Sequence, residues 1–409
     1  MIRRCLTVFL TVSLVFVSGC WDSVEIDDQC YLLALAIDLT DTGGLQMTAS
    51  IPSVDSEKDT ATPEERKRSM TTVTGRNIAE AIDVLIGSVP RNINLSQLKV
   101  LFLSEELARA PFFLQVLDDL LSYRGLRRMA SVVICEGEAS AFIETLQAVA
   151  GLQLSKSLEI AISAYNESSY LTHTRLLELN MQMHRIHGTG LAAIGAVTGE
   201  YEQAETVRNP VEGDVQPGDY DASELPHRGV SPTELFGTAL FDAGHMVGRL
   251  SGYETQLLLF LRGEGRYNLI AVPTDEEDMD RTNIILRAQH RPKISVRDRG
   301  GMAAIHIDIP LRATLTQTYD SAGMDMEALR QRAEAIATRD MERLLRKLQE
   351  QCLDPIGFSG IIAREFLIIQ DWEAYPWAEA YQNGEITLNV RVYLQQPSRE
   401  PGGLPLELH

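Results

Sequence analysis

His184 and His187 stand three residues apart with His173 upstream, a spacing that on a helix would put two imidazoles on one face, where zinc could be held. No HExxH motif and no paired cysteines accompany them, so an ordinary surface or interfacial histidine pair is the simpler account. The run DEEDMD at 275–280 gathers carboxylates as a calcium loop does, yet it lacks the sixth-position glycine of an EF-hand turn, and a solvated acidic loop is expected. GFSG at 357–360 is one residue short of the GxSxG nucleophile elbow and has no strand pattern before it. GTGLAA at 188–193 satisfies a loose dinucleotide fingerprint, but QMHRIH precedes it where a buried strand would be required. A P-loop is absent, and pairing any two of the many acids as general acid and base would be arbitrary without a cleft. These residues point to no catalytic, cofactor or metal site, and the expectation is a protein that is not an enzyme.

Cys20 invites chemistry of another kind. Met1-Ile2-Arg3-Arg4 is a short cationic start, an apolar run follows as far as Val17, and the small pair Ser18-Gly19 leads directly to the cysteine. That order is a secretory signal peptide over residues 1–19. The run is too short for a permanent span, which needs about 20 apolar residues, and no later segment is long or oily enough either. VSGC is also similar to the bacterial lipobox, in which the cysteine becomes the new N-terminus and its thiol carries a diacylglyceryl group. The alternative is an ordinary signal peptide with an incidental cysteine, and the completeness of all three regions favours the lipid anchor. Two acyl chains hold a protein stably where one holds it only marginally, because each buried methylene contributes about 0.8 kcal/mol.

Charge cannot supply that attachment. The formal net charge is −20, and removing Arg3 and Arg4 with the signal peptide makes it more negative still, so an anionic membrane surface would repel the body. The same balance argues against nucleic acid. Cys30, Cys135 and Cys352 are the cysteines left beyond Cys5 and Cys20, an odd and widely spaced set that suggests neither a disulfide framework nor a metal cluster. With 409 residues and 44% hydrophobic content the chain is long enough for two or three domains with real cores.

The elements that would position these residues read as follows. YLLALAIDL and LQMTASI flank the turn TDTGG as a hairpin whose first strand is buried on both faces, and a charged loop follows at 53–69. GRNIAEAIDVLIGS places Ile78, Ala81, Ile82 and Leu85 at helical spacing. LKVLFLS is a strand running into a helix over EELARAPFFLQVLDDLLSY, then ASVVICE is a strand and EASAFIETLQAV a helix. A mainly helical stretch including TRLLELNMQMHRI leads to the strand GLAAIGAVTG. Acids, glycines and prolines dominate 201–232, which reads as a linker or exposed loop. Beyond it come two strands turning at Ala243-Gly244, a short helix, further long strands, and the clearest helix of the chain, with Leu329, Ala333, Ile336, Met341, Leu344, Leu348 and Cys352 on one stripe. Trp372, Trp377 and the strand EITLNVRVYLQ close this part. The fold class expected is α+β, multidomain, with mixed sheets and helices in a lipid-anchored extracytoplasmic protein. Its parts are an N-terminal α/β domain over 20–200, with a division into 20–150 and 151–200 left open, and a C-terminal α+β domain over 233–400.

Several of these stretches, in this order, resemble the Ger(x)C lipoproteins, the C subunits of spore-germination receptors. GCWDSVEIDD looks like the family's lipidated cysteine with its Trp-Asp pair and acidic continuation. GRNIAEAID, LSQLKVLFLSEELAR, FGTALFDAGHMVGRLSGYET, LQEQCLDPIGFSGIIARE, DWEAYPWAEAY and ITLNVRVYL continue the resemblance nearly end to end. Two departures stand out: Ser359 occupies a position where the family commonly has a second glycine, and QQPSREPGGLPLELH replaces its short basic ending. The resemblance implies a non-catalytic assembly and signalling component of a nutrient germinant receptor. It would be held through Cys20 on the outer face of the spore inner membrane, beside the integral membrane A and B subunits. The alternative class is a lipid-anchored solute-binding protein of a transporter, which would need two similar doubly wound lobes around a cleft.

Overall fold

A computed structural model describes residues 28–51, 70–147, 169–197, 216–225, 233–274, 281–316 and 325–395. Cys20, the charged loop at 53–69 and the DEEDMD run lie outside them.

Continuous apolar runs build the centre of the first sheet. Strands β1 (Gln29–Tyr31) and β5 (Asn92–Asn94) pair separately in parallel. The remaining strands of the first half form one eight-stranded sheet, ordered β10-β9-β8-β7-β6-β2-β3-β4. Its centre is parallel: β2 (Ala34–Leu39), β6 (Val100–Ser104), β7 (Ser131–Cys135) and β8 (Gly190–Val197). Antiparallel strands close both sides, β3 (Leu45–Ser50) and β4 (Met70–Gly75) on one, β9 (Thr233–Asp242) and β10 (His245–Leu250) on the other. Side chains of a strand point alternately to opposite faces. Leu35, Ile37, Leu101, Leu103, Val132 and Ile134 therefore enter one core, while Ala34, Ala36, Val100, Phe102, Val133 and Cys135 enter another. Both faces are covered, which is why the central strands are hydrophobic without a break.

Helices α1 (Ile78–Ser88), α2 (Glu105–Arg109), α3 (Phe113–Ser122) and α5 (Leu176–Met183) bury their apolar residues in the first core, and α4 (Ala139–Gln147) covers the opposite face with Ala139, Phe142, Ile143 and Leu146. Helix α1 begins where Asn77 accepts from the Glu80 N–H, and it buries Ile78, Ala81, Ile82 and Leu85, the stripe its spacing predicts. The single helix expected over 105–123 is two. Pro111 has no N–H to offer and disfavours a helical residue before it, and Ala110 is accordingly extended at φ −67°, ψ 139°.

The second sheet is organised around β14 (Ala303–Leu315). One edge of this long strand pairs in parallel with β15 (Glu385–Leu394), and its other edge is shared end to end by β13 (Lys293–Asp298) and β12 (Arg281–Ala288). β11 (Asn268–Pro273) extends the sheet beyond β12. Helix α7 (Met326–Glu350) packs Leu329, Ala333, Ala337, Met341, Leu344, Leu345 and Leu348 on it. Cys352 falls beyond this helix, half-buried with φ 56°, so the predicted stripe ends at Leu348. The outer edge of β15 is protected at Val392, whose N–H donates to Glu334 and whose carbonyl accepts from Arg330. Short helices α8 (Phe358–Ile362), α9 (Ile369–Glu373) and α10 (Trp377–Gln382) carry the aromatic residues.

Between the sheets lies α6 (Gly252–Arg262), buried along nearly its whole length. Here the expected division at 201–232 needs correction. Strands β9 and β10 follow that segment yet hydrogen-bond to the first sheet, and Phe236, Phe241 and Met246 belong to its core. Residues 216–225, inside the expected loop, are packed: Gln216 accepts from the Ala271 N–H, Gly218 and Tyr220 accept from Tyr253 and Gly252, and Asp219 accepts from Ser251. A polar composition there serves the end of a buried helix rather than solvent.

A chain cut at an engineered protease site between residues 201 and 215 is expected to migrate as one particle under native conditions and to separate only in denaturant, because β8 and β9 remain paired across the cut. Size-exclusion chromatography before and after urea checks this. Separation without denaturant would mean that the two halves hold together only through the covalent chain.

Candidate functional site

The carboxyl ends of β2, β6 and β7 meet the start of α4 at a cleft of about 510 Å³, lined by Asp38, Asp41, Ser104, Glu105, Glu106, Arg109, Gly137 and Glu138. Crevices beyond the carboxyl ends of parallel strands are where open α/β sheets place ligands. Asp38, Glu105 and Arg109 in this cleft are engaged by other groups of the protein. Asp38 accepts from the N–H groups of Ala139 (2.6 Å) and Ser140 (3.0 Å) and so caps a helix a hundred residues away. Burial pushes its pKa up, and the two N–H groups oppose that rise. Ser104 accepts from the Leu107 N–H and Thr40 from the Gly44 N–H, so both hydroxyl oxygens serve the backbone.

Arg249, delivered by β10, binds this cleft to the strands behind it. Its guanidinium reaches Glu105 at 3.2 Å and Glu136 at 3.3 Å, and Glu105 also holds Arg109 at 2.7 Å. Burial works against the Arg249 charge, but Glu105, Glu136 and Asp221 outweigh it and keep the group protonated. Glu234 at the start of β9 is nearly inaccessible. Burial first, and the neighbouring Glu136 second, push its carboxyl up to about 8, with the Leu225 N–H acting the other way. The arrangement favours cations over anions and offers structural charge pairing rather than a nucleophile with its base.

The residues weighed from sequence fall apart in space. His173 pairs with Ser131 at 2.9 Å, His184 with Asp118 at 2.9 Å, and His187 lies edge-on to Trp372 with centroids 5.0 Å apart. Burial lowers the pKa of both His173 and His187. No three metal-ligating side chains converge among the described residues. Gly190 opens strand β8, so GTGLAA leads into a strand rather than turning from a strand into a helix. Within GFSG, the N–H groups of Gly357, Phe358 and Ser359 all donate to Asp354, and the Ser359 hydroxyl donates to the His187 carbonyl. Ser359 is thus a fastening between the halves, and burial pushes Asp354 up to about 6. Neither Asp354, Glu234 nor Arg249 carried a signal in sequence, because each is defined by residues about 100 or more positions away or by a loop closing on itself. Cys30 and Cys135 are buried thiols and Cys352 is half-buried.

The two larger sheets, one of eight mixed strands and one of five centred on β14, are unlike each other, and among the described residues they do not form the duplicated lobes of a solute-binding protein. Residues 22–196 match the family described as spore germination protein N-terminal domain, and residues 236–398 match spore germination B3/GerAC like, C-terminal. Spore germination protein KC of Bacillus subtilis is 21% identical over 417 residues, covering 96% of this chain and 95% of that protein. YfkR of the same organism, named for spore germination, is 21% identical over 395 residues, covering 93% and 94%. The crystal structure of the GerBC protein aligns with a TM-score of 0.47 at 19% identity, covering 88% of this chain and 97% of that one.

Glu234 yields a pH prediction with a definite sign. Its folded pKa of about 8 lies above the ordinary 4.5, so its stabilising contribution is complete below pH 4.5 and is lost as pH rises through 8. Glu234→Gln, neutral at every pH, should therefore flatten the decline in stability between pH 6 and pH 9, by an amount on the order of 1–3 kcal/mol in unfolding free energy. Thermal melts at several pH values test it, and parallel curves for variant and wild type would show that Glu234 is ionised throughout.

Proposed function

This chain belongs to the spore germination B3/GerAC-like family, the C subunits of germinant receptors, and from that premise we propose that it acts as a non-catalytic assembly and signalling subunit at a membrane. The observation that carries this reading is the extent of the family match: both halves are covered, 22–196 and 236–398, and the sheet and buried helix that join them make one body. The engagement of Asp38 in a helix cap and of Glu105 in arginine pairs supports a structural role for these two carboxylates of the cleft. No helix among the described residues is long and apolar enough to cross a membrane. Attachment is assigned to Cys20, which would carry diacylglycerol after removal of residues 1–19 and would hold the body on the outer face of the spore inner membrane. Integral membrane A and B subunits are the partners in this reading. Tethering raises the local concentration of the body beside them, so a weak contact becomes a persistent one.

Mass spectrometry of the N-terminal peptide is expected to find Cys20 as the first residue with a thioether-linked diacylglycerol; an unmodified cysteine or another cleavage site would overturn the anchor. Cys20→Ala should leave the melting temperature of the folded body unchanged and abolish nutrient germination. Spores carrying that variant at normal abundance and germinating at the usual rate would show tethering to be dispensable.

A further inference from the structure

Between the turn at Ala363–Glu365 and helix α9, three large aliphatic residues in succession face solvent: Leu367 is 100% exposed, Ile368 53% and Ile369 54%. Among the described residues no other site sets three such side chains side by side outside the core. Scattered exposed leucines need no explanation, but a contiguous apolar tip costs solubility and marks a contact.

The tip is also rigidly mounted. Phe366 packs against Trp372 (5.3 Å between centroids) and Tyr375 (5.1 Å), and Trp372 meets His187 from the first half of the chain. Trp377 continues the cluster beneath, stacked on Tyr381 at 5.5 Å. The Tyr375 hydroxyl donates to Asp298 at 2.8 Å, and the Ala374 N–H donates to the Gln370 carbonyl at 3.0 Å. A backbone held in place before binding leaves only the three side chains to be ordered when the tip docks.

The surround of the tip selects its occupant. Within 363–373 the exposed Glu365, Asp371 and Glu373 flank it as an acidic ring of sequence neighbours against one Arg364, on a chain of formal charge −20. A bilayer bearing anionic lipid would repel that ring, and interfacial segments that enter membranes carry Lys and Arg beside their apolar residues instead. A second copy would bring the same acids face to face. An apolar recess rimmed by Lys or Arg on another protein satisfies both the aliphatic tip and its acidic surround.

From this complementarity we infer that Leu367, Ile368 and Ile369 are the anchor by which the chain docks into a basic-rimmed apolar recess of an integral membrane subunit, an inference that rests on the receptor reading above. The test uses the full lipidated chain in spores whose two membrane subunits carry affinity tags. Wild type, the double variant Leu367→Asp with Ile369→Asp, and the control Val84→Asp, an exposed position on α1, are compared for recovery with the tagged subunits at low and high salt. The expected result is recovery of wild type and control, with a loss of more than about tenfold for the double variant, an unchanged melting temperature, and weaker recovery of wild type as salt rises. A photo-crosslinker at position 367 should join the chain to a tagged subunit.

Equal recovery of wild type and double variant would overturn the tip as the anchor while leaving the receptor reading in place. Failure of wild type itself to be recovered would overturn both. Loss of binding to protein-free phosphatidylcholine vesicles, or a shift in oligomeric state with subunit recovery intact, would assign the tip to lipid or to a second copy and overturn the inference.

Discussion

A helix with almost no exposed side must find a partner for every polar group it carries, and Gly252–Arg262 sets that demand at the centre of this protein. Ser251 caps it by accepting from Glu254, and Glu254 returns the contact to the Ser251 N–H. Lys347 of α7 then closes on Glu254 at 2.7 Å, while Tyr253 donates to Asp340 of the same helix. On the opposite side Thr255 shares a hydrogen bond with Thr238 of β9. Gly252 leaves room for Phe236, since a Cβ there would fall 2.0 Å from the ring. Gly237 in β9 holds φ +83° with no space for a side chain beneath the Leu250 carbonyl. The two sheets are therefore coupled through one shared core rather than linked as beads. A disturbance of α6 would be felt on both.

That coupling matters for a subunit read as a signalling component. A body whose halves share a buried helix transmits displacement as a unit, because close-packed interiors pass strain on rather than absorbing it. The Asp354 loop adds a second tie, with Thr189 accepting from the Asp354 N–H and Ser359 donating to the His187 carbonyl. The aromatic cluster under Leu367 touches His187 and so stands against this tie.

The acidity of the chain has an internal use as well as an external one. Asp38, Asp219, Glu254, Glu334 and Asp354 each accept from groups far along the chain or across a loop. They satisfy helix starts and a strand edge that would otherwise be left unpaired in the interior. Carboxylates used in this way hold the fold together.

Local pattern alone determined much of this protein. Short unbroken apolar runs marked β2, β6, β7 and β8, the 3.6-residue period marked α1 and α7, and the turn at Ala243-Gly244 marked the hairpin of β9 and β10, because each signal is carried within a dozen neighbouring residues. Family resemblance was legible in the same way, as short stretches in a fixed order. Other features were decided only by tertiary structure. Which sheet β9 and β10 join, the packing of 216–225 against α6, the capping of α4 by Asp38, the gathering of Glu105 and Glu136 at Arg249, the approach of Glu136 to Glu234, and the platform under Leu367 all depend on residues brought together from distant parts of the chain. Composition even pointed the wrong way at 216–225, since glycine, proline and acids read as solvent-facing until the buried end of a helix is known to need them. Long-range pairing leaves no periodic trace in either partner, and it is the geometry of the two sheets that chooses it.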